Sequence, residues 1–153
     1  MIKILSIKQG VFMSQNLVTV TRIDNEDERI TFLPKYLSND FLLFEQNIYR
    51  WMDNHANHYQ GGMYHFYKLS NGGFYIAPEE SYVISIPQNY FKEKLTANAC
   101  GIVASLYILN ALSHYFYEKR NNEKVELLNN YYYALRDFAL AHPEANLILS
   151  AID

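Results

Sequence analysis

Cysteine is nearly absent. Cys100 is the single one in 153 residues, so no intrachain disulfide can form, and the chain suits a reducing compartment. Neither sign of charge dominates: 13 Lys and Arg stand against 16 Asp and Glu, a formal net charge of -3. That balance is not basic enough for a large phosphate footprint, nor acidic enough to imitate duplex DNA, which carries one charge per about 1.7 Å. No apolar run is long enough to span a bilayer. The longest, residues 99–112, is interrupted by Ser105 and Asn110 and reads as a core helix. The start, residues 1–8, alternates apolar and polar residues and lacks the continuous apolar stretch of a signal peptide. The expectation is a cytoplasmic protein without membrane contact. Glycine and proline number only 6 and 4, and nothing reads as a linker, an internal repeat or a low-complexity tract.

Catalytic signatures are missing too. There is no Gly-x-Ser-x-Gly elbow, no Ser-x-x-Lys and no phosphate-binding glycine loop of either common pattern. His55 and His58 sit one helical turn apart, a spacing a metal site could use, but no cysteine completes the set. Cys100 lies in the apolar run, where a buried thiol is inert. Arg136 and Asp137 are adjacent, and adjacent residues on a helix do not face each other, so they make no acid–base pair. No cofactor, metal or catalytic residue is assigned.

What the chain does have is apolar mass. Half of it is hydrophobic and 16 % is aromatic, mostly Tyr (14) and Phe (9). A domain of this length buries roughly two thirds of its unfolded surface, enough for a core without staples. Tyrosine suits half-wet cores, grooves and interfaces.

Pattern reading gives the elements. Residues 2–8 and 17–23 alternate with period two and read as strands. The acidic run 24–28 reads as a solvated turn, and 29–33 as a short strand pairing back on 17–23 and ended by Pro34. Ser38 or Asn39 caps a helix whose stripe is Phe41, Phe44, Ile48, Trp51 and His55, stopped by Gly61-Gly62. Residues 63–69 and 74–77 form a hairpin across Asn71-Gly72, where positive φ is tolerated. Tyr82 to Ile86 is a further strand. Thr96 caps a long helix to about Glu118, apolar on all sides and therefore central. A helix carrying Val125, Leu128, Tyr132, Leu135 and Ala139 follows, and Pro143 opens a last one. Segregated strands and helices predict an α+β fold, a small mostly antiparallel sheet packed with about four helices, in a single domain over 1–153.

Several strings resemble a known family when taken in order. They are Arg29-Ile-Thr-Phe-Leu-Pro34, Trp51-Met52, Tyr59-Gln-Gly-Gly62 and Leu69-Ser-Asn-Gly-Gly-Phe-Tyr-Ile-Ala-Pro78. Ala99-Cys-Gly-Ile-Val103, Asn130-Tyr-Tyr-Tyr-Ala-Leu-Arg-Asp-Phe-Ala139, His142-Pro-Glu-Ala145 and Ala151-Ile-Asp153 complete the set. Together they resemble the antirestriction proteins of the ArdB/KlcA type, from about residue 17 to the end. Residues 1–16 match nothing in that pattern and read as an added strand or an over-called start. The chain departs from the family at Tyr64, Ile76 and Cys100, substitutions that read as repacking. The resemblance implies carriage on plasmids, phage or other mobile DNA. It also implies protection of incoming DNA from type I restriction–modification enzymes, without DNA mimicry and with no strong nucleic-acid binding.

The expected partner is a type I restriction–modification complex or an associated host protein, and the reading favours a monomer. The contact groups are motif residues that packing does not require: Arg29, Asp53, Arg136, Asp137, His142, Glu144 and Asp153, with Trp51 and Tyr59 next. Two other readings stay open, a regulatory domain with another host target and an unrecognised small hydrolase.

Overall fold

The computed structural model describes residues 17–153; the strand read at 2–8 lies outside them. Two small antiparallel sheets and five α-helices make up the described chain, an α+β architecture as the segregated pattern predicts.

The first sheet has the order β1-β2-β3, with β1 at Val20–Ile23, β2 at Tyr64–Leu69 and β3 at Phe74–Pro78. Ile23 pairs with Phe66 and Val20 with Leu69, while Tyr67 pairs with Tyr75. The β2–β3 turn departs in detail from expectation. Only Gly72 takes a positive φ, of 91°. Asn71 contributes its side chain instead, accepting from the Gly73 amide at 3.1 Å and donating to the Ala134 carbonyl at 2.8 Å.

Residues 29–33 are not a strand. They belong to helix α1, Glu26–Leu37. Asn25 caps it by accepting from the Glu28 amide at 3.0 Å, and Glu26, Asp27 and Glu28 place negative charge at its N-terminus. Phe32, Leu33 and Leu37 are buried, a helical spacing that continues across Pro34. The proline sits in the last turn, where it deletes only the bond to the carbonyl of the well-exposed Ile30, which water can replace.

Helix α2, Phe41–His55, buries Phe44, Ile48 and Trp51 of the expected stripe together with Met52, while Phe41 and His55 at its two ends are only half-buried. It ends before Gly61-Gly62, because Ala56 turns extended and bridges Ile84. The second sheet pairs β4, Tyr82–Ile86, with β5, Phe91–Leu95. Nothing in the sequence pattern signals β5, whose interior is Lys92, Glu93 and Lys94.

Helix α3, Ala97–Glu118, runs through the centre, capped by Thr96 accepting from the Ala99 amide at 3.2 Å. With the residues that flank the run 99–112, the whole helix is, against the sequence reading, long and apolar enough to cross a membrane by length and composition, but 72 % of that stretch is buried within the fold. It also seals the free edge of β3. A Cβ on Gly101 would lie 2.3 Å from the Ala77 Cβ and 2.4 Å from the Ile76 carbonyl oxygen, so only glycine allows this approach. One turn on, the buried Ser105 hydroxyl accepts from the Ile76 amide at 3.3 Å and donates to the Ile76 carbonyl at 3.4 Å. Helix α4, Asn122–Leu140, is capped by Asn121 and packs along α3. Helix α5 begins at Ala145 and ends at Ile152, with Glu144 at its N-cap, so Pro143 lies in the preceding turn and not at the first helical position.

Candidate functional site

Five of the nine sequence-derived contact residues fall in two regions of different character, His142 and Glu144 in one and Trp51, Asp53 and Tyr59 in the other. The first is the corner between α4 and α5. The His142 Nδ1 accepts from the Glu144 amide at 3.0 Å, which fixes the proton on Nε2, and Nε2 donates to the Asn98 side-chain oxygen at 3.0 Å. The Asn98 Nδ2 then donates to the Tyr75 hydroxyl at 2.7 Å. Glu144 accepts from the Thr96 amide at 3.2 Å and from the Thr96 hydroxyl. Burial pushes the His142 imidazole below its usual range, opposed by the Glu144 carboxylate. The ring is therefore held neutral, and its two nitrogens are spent on joining α5's entry to the start of α3.

Beyond that corner, Arg136 and Asp153 both act on Tyr132, whose hydroxyl burial pushes up, with Arg136 pulling it down and Asp153 adding to the rise. Asp137 and Asp153 are exposed, and Arg136 is half-buried. Arg29 stands apart from both regions. Its Nη2 donates to the Tyr64 carbonyl at 2.9 Å and its guanidinium lies 4.7 Å from the Phe66 ring centroid, which ties α1 to β2.

The second region is an open cleft of about 440 Å³ between the C-terminus of α2 and the outward face of the β4–β5 hairpin. Asp53, Asn54 and His55 line one wall, Asn57, His58 and Tyr59 the floor, and Val83, Ser85 and Lys92 the other wall. His55 Nδ1 lies 2.8 Å from the Trp51 carbonyl, which can only accept, so Nδ1 carries the proton and Nε2 is the ring's acceptor. Trp51, 7 % exposed, stacks beneath on His55 at 4.4 Å and packs on Tyr107 at 5.2 Å. The Tyr59 hydroxyl is 2.7 Å from that of Tyr64, and its ring meets Tyr82 edge-on at 5.5 Å. Burial raises the Tyr59 hydroxyl's pKa. His58 holds a left-handed φ of 64°, uncommon for a non-glycine residue and consistent with the sharp reversal of the chain at the cleft floor.

No group of three His, Cys, Asp or Glu side chains among the described residues is placed to hold a metal ion. Cys100 is fully buried, its thiol pushed up to about 12 by burial, far from the thiolate that nucleophilic chemistry needs.

Sequence reasoning missed Asn98, Thr96 and Tyr75 as members of the corner network. It also missed Asn54, Asn57, Ser85 and Lys92 as members of the cleft. His55 and His58 are not the helical pair their spacing suggests: α2 ends at His55, Ala56 is extended, and His58 lines the same cleft from the turn that follows.

Residues 57–153 match the sequence profile of the antirestriction protein family. That span holds the whole corner network and the floor and hairpin wall of the cleft; Arg29, Trp51 and Asp53 precede it. The chain is 38 % identical over 131 residues to an antirestriction protein KlcA of Escherichia coli, covering 84 % of this chain and 90 % of that one. It is 39 % identical over 141 residues to a second E. coli KlcA, covering 89 % and 94 %. A solved structure also resembles it, with a TM-score of 0.82 and 36 % identity, covering 94 % of this chain and all of the other. That structure is described as belonging to the KlcA and ArdB proteins, with a novel fold and antirestriction activity against type I DNA restriction systems in vivo but not in vitro. Profile, relatives and backbone agree, and the chain belongs to the antirestriction protein family.

Proposed function

We propose that this protein protects incoming mobile-element DNA from type I restriction–modification enzymes in the cytoplasm, by binding or interference and not by catalysis. The observation that carries this is its likeness to the KlcA and ArdB structure, whose antirestriction activity is described as present in vivo and absent in vitro. An agent that attacks DNA or the restriction enzyme directly works on purified components. One that needs the cell acts on an assembly or through a host protein. The working partner is accordingly a type I complex in its cellular setting, or a host protein associated with it. The buried thiol of Cys100 and the tied-up nitrogens of His142 support a non-catalytic action, since neither is available to a substrate. Arg136, Asp137 and Asp153 on the α4–α5 side and Asp53 and Tyr59 at the cleft are the proposed contact groups.

The test is a plaque count with unmodified phage on a strain with active type I restriction, against a non-restricting control. Expression of this protein raises the count toward the control without slowing growth. Arg136→Ala and Asp153→Ala remain folded and lose protection; full protection in both removes these two from the contact set. No rise with soluble, folded wild-type protein overturns the reading for the restriction system tested.

A further inference from the structure

The open edge of β5, beside the cleft, has the chemistry of a docking strand. We propose that it receives an extended, acidic segment of a partner protein, which adds as a third strand to the β4–β5 sheet. This inference names the kind of partner for the interference read above and rests on that reading.

The sheet order β4-β5 gives β5 a strand partner on one side only among the described residues. On the far side, β4 is already engaged: Ala56 bridges Ile84, and the Asn57 amide donates to the Val83 carbonyl at 3.0 Å. Any further strand must therefore add at β5, where Lys92, Glu93 and Lys94 are all exposed. Lys92 pairs with Ser85 and Lys94 with Val83. By the two-residue alternation, both lysines stand on the face of the hairpin that forms the cleft wall. Phe91 and Leu95, on the opposite face, are buried. Tyr90, at the mouth of the strand, is 94 % exposed and holds a left-handed φ of 61°. A large aromatic side chain is thus held out beside the edge at some cost in backbone strain.

Charge decides the occupant. Edge hydrogen-bonding groups alternate with the same period as side chains, so an added strand can shift its register only by two residues. A second copy of β5 running antiparallel would therefore always set lysine opposite lysine, and like charges directly opposite are destabilising. A strand with acidic residues two apart sets a carboxylate opposite each lysine in the same registers. The residue between them falls opposite the exposed Glu93 and must carry no negative charge, while the apolar residues outside the pair extend the layer of Phe91 and Leu95. The recognised pattern is acidic–apolar–acidic, with main-chain bonds giving affinity and the lysines giving selectivity.

The probe is the peptide Ser-Val-Asp-Val-Asp-Val-Ser, titrated to millimolar against the full chain and followed by amide chemical shifts. The expected result is shifts at 91–95 that weaken with salt. They should be about tenfold weaker or absent for the Lys counterpart peptide, for the peptide N-methylated at its aspartates, whose amides face the β5 edge, and for the Lys92→Glu, Lys94→Glu double variant. Both lysines are exposed, so this variant keeps the fold, which circular dichroism checks. No shifts with the acidic peptide, or equal shifts with the Lys peptide or the double variant, overturn the proposal. The phage assay keeps the two readings separate. If the wild type protects and the double variant protects equally, the edge is not the working contact while the antirestriction reading stands. If the wild type fails to protect, that reading falls and the peptide titration alone decides the edge.

Discussion

The corner around His142 and the cleft beside His55 are built from similar residue types, yet they differ in what their polar groups face. At the corner, the imidazole, the Glu144 carboxylate and the Asn98 amide each have an internal partner. At the cleft, His55 has one internal bond, and the side chains of Asp53, His58 and Lys92 border an open volume. A polar group satisfied by its own chain holds the fold together. A polar group turned to an open cleft is available to something else. The same contrast separates Arg29, tied to β2, from the exposed Asp137.

Substitutions can break or sharpen this contrast. The largest effect belongs to the closed side. Gly101→Ala gains about 1 kcal/mol of helix propensity. It also drives a methyl into the Ile76 carbonyl and Ala77, which are backbone and cannot step aside, and the net loss is about 3 kcal/mol or more. Urea unfolding measures it, and a stability equal to wild type would mean the seam between α3 and β3 is looser than described. Next is Asn98→Ala, which strands the His142 Nε2 proton and removes the Tyr75 hydroxyl's donor. It costs about 1–2 kcal/mol.

A smaller effect is the pH dependence of His142. Its folded pKa lies below its unfolded value, so the unfolded state binds more protons in the interval between them. The stabilisation is complete above about pH 6.5 and is lost as pH falls through the folded value. In His142→Gln the slope of stability against pH between 7 and 5 becomes shallower; an unchanged slope assigns it to other groups. Least of all in stability is Asp53→Ala, at an exposed wall of the cleft, within about 0.5 kcal/mol of wild type. It should nonetheless lower phage protection. If Asp53→Ala unfolds the protein, or Asn98→Ala leaves stability untouched, the contrast between the two regions fails.

Much of the architecture was readable from the chain because it is local. The cap at Thr96, the all-apolar helix behind it and the stripe of α2 each follow from spacing within one element. Errors arose where one strong signal masked a weaker combination. Pro34 looked like a strand terminus, while the Asn25 cap, the acidic first turn and the Phe32, Leu33, Leu37 spacing together specify a helix. In β5 the charged interior hid a strand whose ends alone are buried. The candidate site was legible only in part, for a different reason. His142 and Glu144 stand out as motif residues, but their partners Asn98 and Thr96 lie 44 and 48 residues away in sequence. Those pairings exist only once α5's entry turn reaches the start of α3. The cleft likewise joins a helix end to a hairpin some thirty residues downstream.

The helix that seals β3 also sets a schedule for folding. The β2–β3 hairpin is a local structure and closes within microseconds, as hairpins do. During synthesis, though, Gly101 and Ser105 emerge only after β3 is complete. Until they dock, a strand of five otherwise buried residues presents an unpaired edge, which is the feature that recruits neighbouring chains into aggregates. A variant that slows this docking lengthens that exposure. Its first symptom in a cell is a falling soluble yield, as nascent chains stick to one another before any finished molecule has had the chance to unfold.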